Sequence, residues 1–488
     1  MTIKFNYDPG RRQGIVSGDR FDELREAFSV HNDSAKFARY GGARYIPTRK
    51  YVITPAGRFE TGLFFEIKKY ILSNIGKDTN IYISDELKKI IYPGFNITKI
   101  QQHLSLTLRD YQNDIVRAGL SVGRGVCVLA TAGGKTLTIA SLIEHVYRKN
   151  NQFKCVVLVP DRGLVNQTFG DFGEYKCTFS YSKWTGDNKL DISTNIVIAN
   201  IGILQSSKSN LDWLQDIDLL IVDEVHKLRK SNKINKIIKS IRTPNKLGFT
   251  GTLPPDMIDQ WNIFGHIGPL LYEKNSFQLR VDNYIANVLV QFIRIEYSTQ
   301  PGVQSSDRYS PSARYRRESK FIINNTFRNN IINKLCSKFD NNCLIMVDYI
   351  EHGEKLYSIL KENNPDKTVY FIRGDVDVKD RDKVKSVMEN KKNVICVAIS
   401  KIFSTGINIK NLHYIVFASG GKAKVKLIQS IGRGLRWHKD KKDVIIIDIA
   451  DKLFYGNKHY VKRKVIYRDE SIRYGIRSIK EKETETIN

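Results

Sequence analysis

The run VCVLATAGGKT, residues 126–136, carries an apolar stretch into a loop with two glycines and then a Lys-Thr pair. Loop amides and the first turn of a following helix can cradle phosphate oxygens, because unpaired backbone N–H groups point there. In such a loop Lys135 reaches the β- and γ-phosphates of a nucleoside triphosphate, and the Thr136 hydroxyl is a hard oxygen for Mg²⁺. Leu129 stands where the commonest form of the loop has its first glycine, and taken alone the run also fits a plain strand–turn–helix. A second signal is DLLIVDEVH, residues 218–226, where Asp223 and Glu224 end an apolar run. Ligands bind at the carboxyl ends of strands in open α/β sheets, so one carboxylate there can hold Mg²⁺ and the next can orient an attacking water. A third is QSIGRGLR, residues 429–436, whose Arg433 and Arg436 fall on one face of a helix. Planar guanidinium groups suit the charge that develops on a transferring γ-phosphate. The alternative for that pair is a solvated basic face.

Positioning these groups takes strands. Between about 100 and 275 the apolar runs VCVLA, CVVLVP, NIVIAN, DLLIVD and LGFTG alternate with helical segments. Between about 285 and 450 the runs NCLIMVDY, TVYFIRG, VICVAIS, YIVFAS and VIIIDIA do the same. That alternation predicts two tandem α/β domains with parallel sheets, at residues 98–280 and 281–452. Arg433 and Arg436 then lie in the second of them, and their chemistry requires the two domains to close on one another.

Residues 1–97 read as a small α+β domain with helical faces in FDELREAF and LFFEIKKYIL. The basic and aromatic stretch between them includes Lys36, Arg39 and Arg44. It reads either as a nucleic-acid face or as a twisted hairpin with its cations in water. The polar stretch around 298–320 reads as an exposed loop. Residues 453–488 read as a basic tail that includes Lys462 and Arg463.

The chain has 488 residues, with 78 Lys+Arg against 51 Asp+Glu and a net charge of +27. Like charges repel in a compact state, so this excess points to a polyanionic partner, nucleic acid first; solubility needs only about 2–8 charges. No apolar run reaches the roughly 18 residues of a membrane span, and the N-terminus lacks the apolar core of a signal peptide, so a cytoplasmic location is expected and no membrane association. The six cysteines form no CxxC pairs and read as buried thiols. From His226 to Pro255 there is no acid and there are eight bases. Within it SNKINKIIKSIR predicts a helix with an isoleucine stripe, leaving Lys233, Lys236 and Lys239 either as solvated lysines or as a flank for a duplex.

In this order the segments resemble the superfamily-2 helicases and translocases over residues of about 100–450. LRDYQ (108–112) resembles their adenine-reading segment, which implies Gln112 as the reader with Arg109 beside it. ATAGGKT (130–136) resembles motif I, with Ala132, Gly133, Gly134, Lys135 and Thr136 around the phosphates. LVPDRGLVNQ (158–167) resembles motif Ia and puts Arg162 on nucleic acid. DEVH (223–226) resembles motif II, with His226 coupling it to motif III, GFTGT (248–252), through Thr250 and Thr252. LIMVDYIEHGEKL (344–356) resembles motif IV, and TVYFIRG carries Arg373 toward nucleic acid. FSTGINI (403–409) resembles motif V, with Gly406 and Asn408 at the nucleotide; Asn408 stands where many relatives have Asp. QSIGRGLR resembles motif VI and adds Gln429 to its arginines. Within the superfamily the chain is similar to the phage UvsW-type recombination helicases, whose small N-terminal DNA-binding domain falls where FDELREAF and LFFEIKKY stand. The aromatic-Asp-Gly turn of that domain is replaced near Arg44–Ile46.

The resemblance implies two RecA-like domains, ATP and Mg²⁺ as cofactors, and branched DNA as partner: Holliday-junction migration, fork regression, and R-loop or D-loop unwinding, with RNA–DNA hybrids as a further substrate. It names no protein partner. The residues themselves point only to a nucleotide-driven motor with a basic track. A duplex translocase without strand separation, an RNA helicase and a non-enzymatic binding protein on a motor fold are the competing readings. Intact Lys135, Asp223, Glu224, Arg433 and Arg436 argue against the last.

Overall fold

Strands that are buried on both faces have to be apolar along their whole length, and the central runs here obey that rule. In a computed structural model, Arg124–Leu129, Cys155–Val159 and Lys246–Thr250 are buried at every position. They belong to a seven-stranded, all-parallel sheet. Its order is Leu270–Lys274, Arg124–Leu129, Lys246–Thr250, Leu219–Asp223, Cys155–Val159, Ile196–Asn200, Tyr181–Trp184. A second seven-stranded parallel sheet runs Thr368–Ile372, Val394–Ile399, Cys343–Val347, Tyr414–Phe417, Asp443–Asp451, Asn287–Glu296, Arg473–Lys480. The structure describes residues 1–32, 35, 47–97, 99–206, 211–228, 233–299, 301, 310–373, 384, 386–400, 411–419 and 443–482. The expected tandem pair of RecA-like sheets is therefore present, and all ten expected strands are in it. Two compact units divide near residue 275: Met1–Ala130 with Gly134–Asn275, and Ser276–Asn488, to which Thr131–Gly133 are grouped.

A mixed four-stranded sheet precedes them, in the order Arg58–Glu60, Gln13–Gly18, Thr2–Asp8, Asn80–Ile83. The first strand alternates exposed and buried residues and turns Ile3 and Phe5 inward. Phe5 meets Phe59 and Phe64 edge to face, with centroids 5.9 and 5.0 Å apart. This core is continuous with that of the first motor sheet: Phe28 lies 5.2 Å from Trp261 in the helix Met257–His266. Gly62 rests on the end of that helix so closely that a Cβ would stand 2.1 Å from the Phe264 carbonyl oxygen.

Three expectations change. The polar stretch expected as a loop holds the helix Pro311–Asn324, started by Ser310, whose hydroxyl accepts from the Ala313 N–H, with proline in the first turn. Residues 453–482 are not a tail. The helix Phe454–Asp469 packs on the second sheet, and Arg473–Lys480 pairs in parallel with Asn287–Glu296. Four strands went unread, Tyr181–Trp184, Leu270–Lys274, Asn287–Glu296 and Arg473–Lys480, because polar residues break up their apolar runs. The six cysteines are free thiols, five buried and Cys177 half-buried. No helix among the described residues is long and apolar enough to cross a membrane.

Since the contact at Gly62 is with backbone, it cannot relax by turning a side chain. Gly62→Ala is expected to cost about 1–3 kcal/mol. That should appear as a lower thermal midpoint for the first transition; an unchanged midpoint would refute the tight seam.

Candidate functional site

Sheet order brings the sequence signals together. The strand Lys246–Thr250 lies between Arg124–Leu129 and Leu219–Asp223, with Thr250 level with Val128 and Phe249 level with Asp223. All three strands deliver their carboxyl ends to one rim. Arg124–Leu129 runs into the glycine loop, where Ala132 and Gly134 take left-handed φ of 68° and 81°. At Gly134 an added Cβ would lie 2.3 Å from Gln112 Nε2, so the turn needs glycine. Lys135 and Thr136 then open the helix Lys135–Lys149, placing its unpaired N–H groups at the rim.

Lys135 Nζ stands 3.6 Å from Glu224 Oε1, and both side chains are largely shielded from water. Glu224 itself has φ 54°, left-handed and strained for a residue with a side chain. Its backbone N–H donates to Asp223 Oδ1 at 2.9 Å. Its other carboxylate oxygen lies 3.2 Å from His226 Nδ1, and the same nitrogen is 2.8 Å from the Thr250 hydroxyl. Thr250 is fully buried; its hydroxyl donates to the Thr252 carbonyl at 2.9 Å. The sequence-expected residues of motifs I, II and III thus form one polar chain, Lys135–Glu224–His226–Thr250–Thr252.

Electrostatics separate the two acids. Burial and the neighbouring Glu224 charge push Asp223 up to about 6. Burial would raise Glu224 too, but the Lys135 ammonium and the His226 hydrogen bond overcome it and hold Glu224 down to about 2. A hard divalent cation fits this donor set. Asp223 is a half-buried carboxylate whose charge a counter-ion would balance, and the Thr136 hydroxyl is a second oxygen donor on the same rim. Among the described residues no cluster of three His, Cys, Asp or Glu side chains could hold a metal by itself, so phosphate and water would complete the shell.

Gln112 is buried, accepts from the Arg109 N–H at 2.9 Å, and donates to the Gly134 carbonyl at 3.5 Å. This ties the expected adenine-reading segment to the phosphate loop. Arg109 Nη1 donates to the Tyr111 hydroxyl. Arg162 is exposed at the start of the helix Arg162–Glu174 and pairs with Asp187 at 3.1 Å; Arg373 is exposed and pairs with Glu354 at 3.2 Å. Lys236 is exposed on the helix Lys233–Ser240, while Lys239 pairs with Glu60 at 2.7 Å. Ile234, Ile238 and Ile241 are buried as the expected stripe. Lys36, Arg39, Arg44, Gly406, Asn408, Gln429, Arg433 and Arg436 lie outside the described residues, as does the side chain of Lys233.

Arg463 corrects an expectation. The basic run 453–488 makes Lys462 and Arg463 alike candidates for contact with nucleic acid, yet the Arg463 side chain is buried and its guanidinium clasps Asp448 at 2.8–3.0 Å. Tyr467 donates to the same carboxylate. Lys462, one position earlier, points to solvent. A matching core network that no sequence signal announced joins Arg328 to Asp451 at 2.8 Å and to the Ala418 carbonyl.

The chain matches two family models: "Type III restriction enzyme, res subunit" over residues 105–255 and "Helicase conserved C-terminal domain" over 327–438. It is 29% identical over 495 residues to the ATP-dependent DNA helicase uvsW of Enterobacteria phage T4, covering 96% of this chain and 94% of that protein. It is 23% identical to the putative ATP-dependent helicase IRC3 of Saccharomyces cerevisiae, over 70% of this chain and 51% of the other. Among solved structures, a type ISP restriction-modification enzyme bound to DNA superposes with a TM-score of 0.57 at 14% identity, over 83% of this chain and 34% of that one, a likeness of fold. The two parallel sheets and the motif-bearing rim define a superfamily-2 helicase. Within that class the chain is similar along nearly its whole length to the uvsW helicase of that phage.

Removing one partner of a buried ion pair strands the other charge. Arg463→Ala is expected to cost about 3–5 kcal/mol in urea unfolding of the second unit, and Lys462→Ala under about 0.5 kcal/mol. Much of the loss should return when Arg463→Met is combined with Asp448→Leu. Equal, small losses for both single variants would place Arg463 at the surface.

Proposed function

We propose that this chain is an ATP-driven DNA motor that remodels branched molecules, moving junctions and regressing forks. The observation that carries the reading is the largely shielded polar chain from Lys135 through Glu224 and His226 to the buried Thr250. It links a phosphate-binding lysine to the segment that follows the neighbouring strand. A triphosphate competes with Glu224 for the Lys135 ammonium. The released carboxylate, its basicity recovering as the ammonium leaves, becomes the acceptor for an attacking water. His226 loses or keeps its hold on Glu224 accordingly, and the Thr250 hydroxyl feels that change directly. Gln112, hydrogen-bonded to the loop, senses whether a base is stacked at Arg109. Thr136 and Asp223 would hold Mg²⁺, which neutralises charge on the phosphate oxygens. Arg433 and Arg436 are assigned to the developing phosphate charge on the sequence pattern alone. The net charge of +27 supplies the attraction to the DNA backbone. Similarity along nearly its whole length to an ATP-dependent DNA helicase of a phage supports DNA as the substrate.

Steady-state ATP hydrolysis on single strand, plain duplex, a four-way junction and an R-loop tests this. The junction should stimulate most, and Lys135→Ala should lose about a hundredfold or more on every substrate. Equal stimulation by plain duplex would favour a translocase that does not part strands, and no hydrolysis above the Lys135→Ala background rejects the motor. Thr250→Val keeps the shape but removes the hydroxyl. It is expected to lower the ratio of DNA-stimulated to basal hydrolysis by about tenfold; an unchanged ratio would take Thr250 out of the coupling path.

A further inference from the structure

At the opposite end of the first motor sheet from the glycine loop lies a second polar cavity, between the small N-terminal sheet and the motor sheet. Arg124 and Lys246 line it from the amino ends of their strands, whereas the nucleotide loop leaves the carboxyl ends. The cavity measures about 40 Å³. A water needs roughly 10–15 Å³ on that measure, so there is room for about three waters or one tetrahedral oxyanion. Five cations line it, Arg12, Arg124, Lys239, Arg242 and Lys246, against a single carboxylate, Glu60. Glu60 is already engaged: its Oε1 accepts from Lys239 Nζ at 2.7 Å and from Gln13 Nε2 at 2.8 Å.

Two of the cations are built in rather than draped over the surface. Arg124 is 2% exposed and anchored by the Ile267 carbonyl at 3.0 Å, the Ile90 carbonyl at 3.0 Å and the Thr61 hydroxyl at 3.1 Å. Lys246 is 8% exposed and donates to the Ile238 and Ile241 carbonyls at 2.8 and 3.2 Å, leaving one N–H for a ligand. His266 lines the same cavity, 3.8 Å from Glu60. Burial and the nearby Arg124 charge pull the Lys246 ammonium down to about 7, and burial pulls Arg124 down to about 10 and His266 down to about 4. Buried cations crowded in this way are normally matched by an anion or by carboxylates. Among the described residues that line the cavity, Glu60 is the one carboxylate, and it is shared.

We propose that this seam is an oxyanion-binding site for a phosphate group, separate from the nucleotide loop. The ligand bridges the N-terminal sheet, through Arg12, to the motor sheet, through Arg124 and Lys246, with the exposed Arg242 at the mouth. A free phosphate ester and a phosphate of the DNA backbone share this chemistry.

Sulfate is the probe, titrated calorimetrically into the full chain at constant ionic strength with chloride as reference. Lys135→Ala serves as background, so that the nucleotide loop is not the source of the heat. Saturable sulfate binding is expected, weakened at least tenfold by Arg242→Gln, which sits at the exposed rim and leaves the core intact, and by Lys246→Met. If duplex DNA displaces the sulfate, the ligand is a backbone phosphate; if sulfate binds equally with DNA present, it is a free oxyanion. No binding beyond chloride overturns the site, and so does binding that Arg242→Gln leaves unchanged. Neither result touches the motor reading, which stands or falls on hydrolysis by the chain with Lys135 intact.

Discussion

The ion pair between Lys135 and Glu224 sets the terms for the rest of the first motor sheet. It joins residues that follow two strands not paired to each other, with Lys246–Thr250 between them. Bridging that gap requires Glu224 to leave its strand in a left-handed conformation, at a cost of order 1–3 kcal/mol. The strain is tolerable because the fully buried strands below fix the start of the turn, and Lys135 and His226 fix its end. Any relaxation of Glu224 toward ordinary backbone geometry would withdraw its carboxylate from both partners at once. The strained turn and the ion pair are therefore one device, with the intervening strand placing Thr250 where it can register what the pair does.

Much of this arrangement is legible in the sequence, for a physical reason. Central parallel strands must be apolar throughout, so each appears as a continuous run, and chemistry sits where the run stops. Lys135, Asp223, Glu224 and Thr250 are all such stops. Edge strands face solvent along one side and carry no such signature. Tyr181–Trp184 and Arg473–Lys480 accordingly hide among polar residues, although they complete their sheets. The helix Pro311–Asn324 hides for a related reason: nine of its first ten residues are Pro, Ser, Ala, Arg, Glu or Lys, and its buried Glu318 is satisfied by the Tyr455 and Gly456 N–H groups, far along the chain.

Cations show where sequence reading runs out. Lys462 and Arg463 are neighbours in a basic run, and nothing local tells them apart. The helix turns one to water and the other onto Asp448. Lys236 and Lys239 lie three residues apart on one helix; the second is taken up by Glu60, 179 residues away. Arg124, Lys246, Arg328 and Arg463 are buried and hydrogen-bonded. The net charge of +27 therefore overstates the positive surface offered to a polyanion, since part of it is spent inside on seams and ion pairs.

That internal spending has a direction. The helix Lys233–Ser240 lies in the chain between His226 and Thr250, the two residues joined by the 2.8 Å contact at the rim. Its carboxyl end carries unpaired carbonyls and partial negative charge. Lys246 and Arg12 supply the caps, Arg12 reaching the Ser240 carbonyl at 2.5 Å from the N-terminal sheet, and Glu60 holds Lys239 from the same side. The N-terminal sheet thus grips the connection between motifs II and III instead of hanging from the motor. A continuous apolar core under Phe28 and Trp261, together with the backbone contact at Gly62, makes the grip rigid. Force applied to the small sheet would reach Thr250, and with it the His226 contact, through the capped helix and the strand Lys246–Thr250 that follows it.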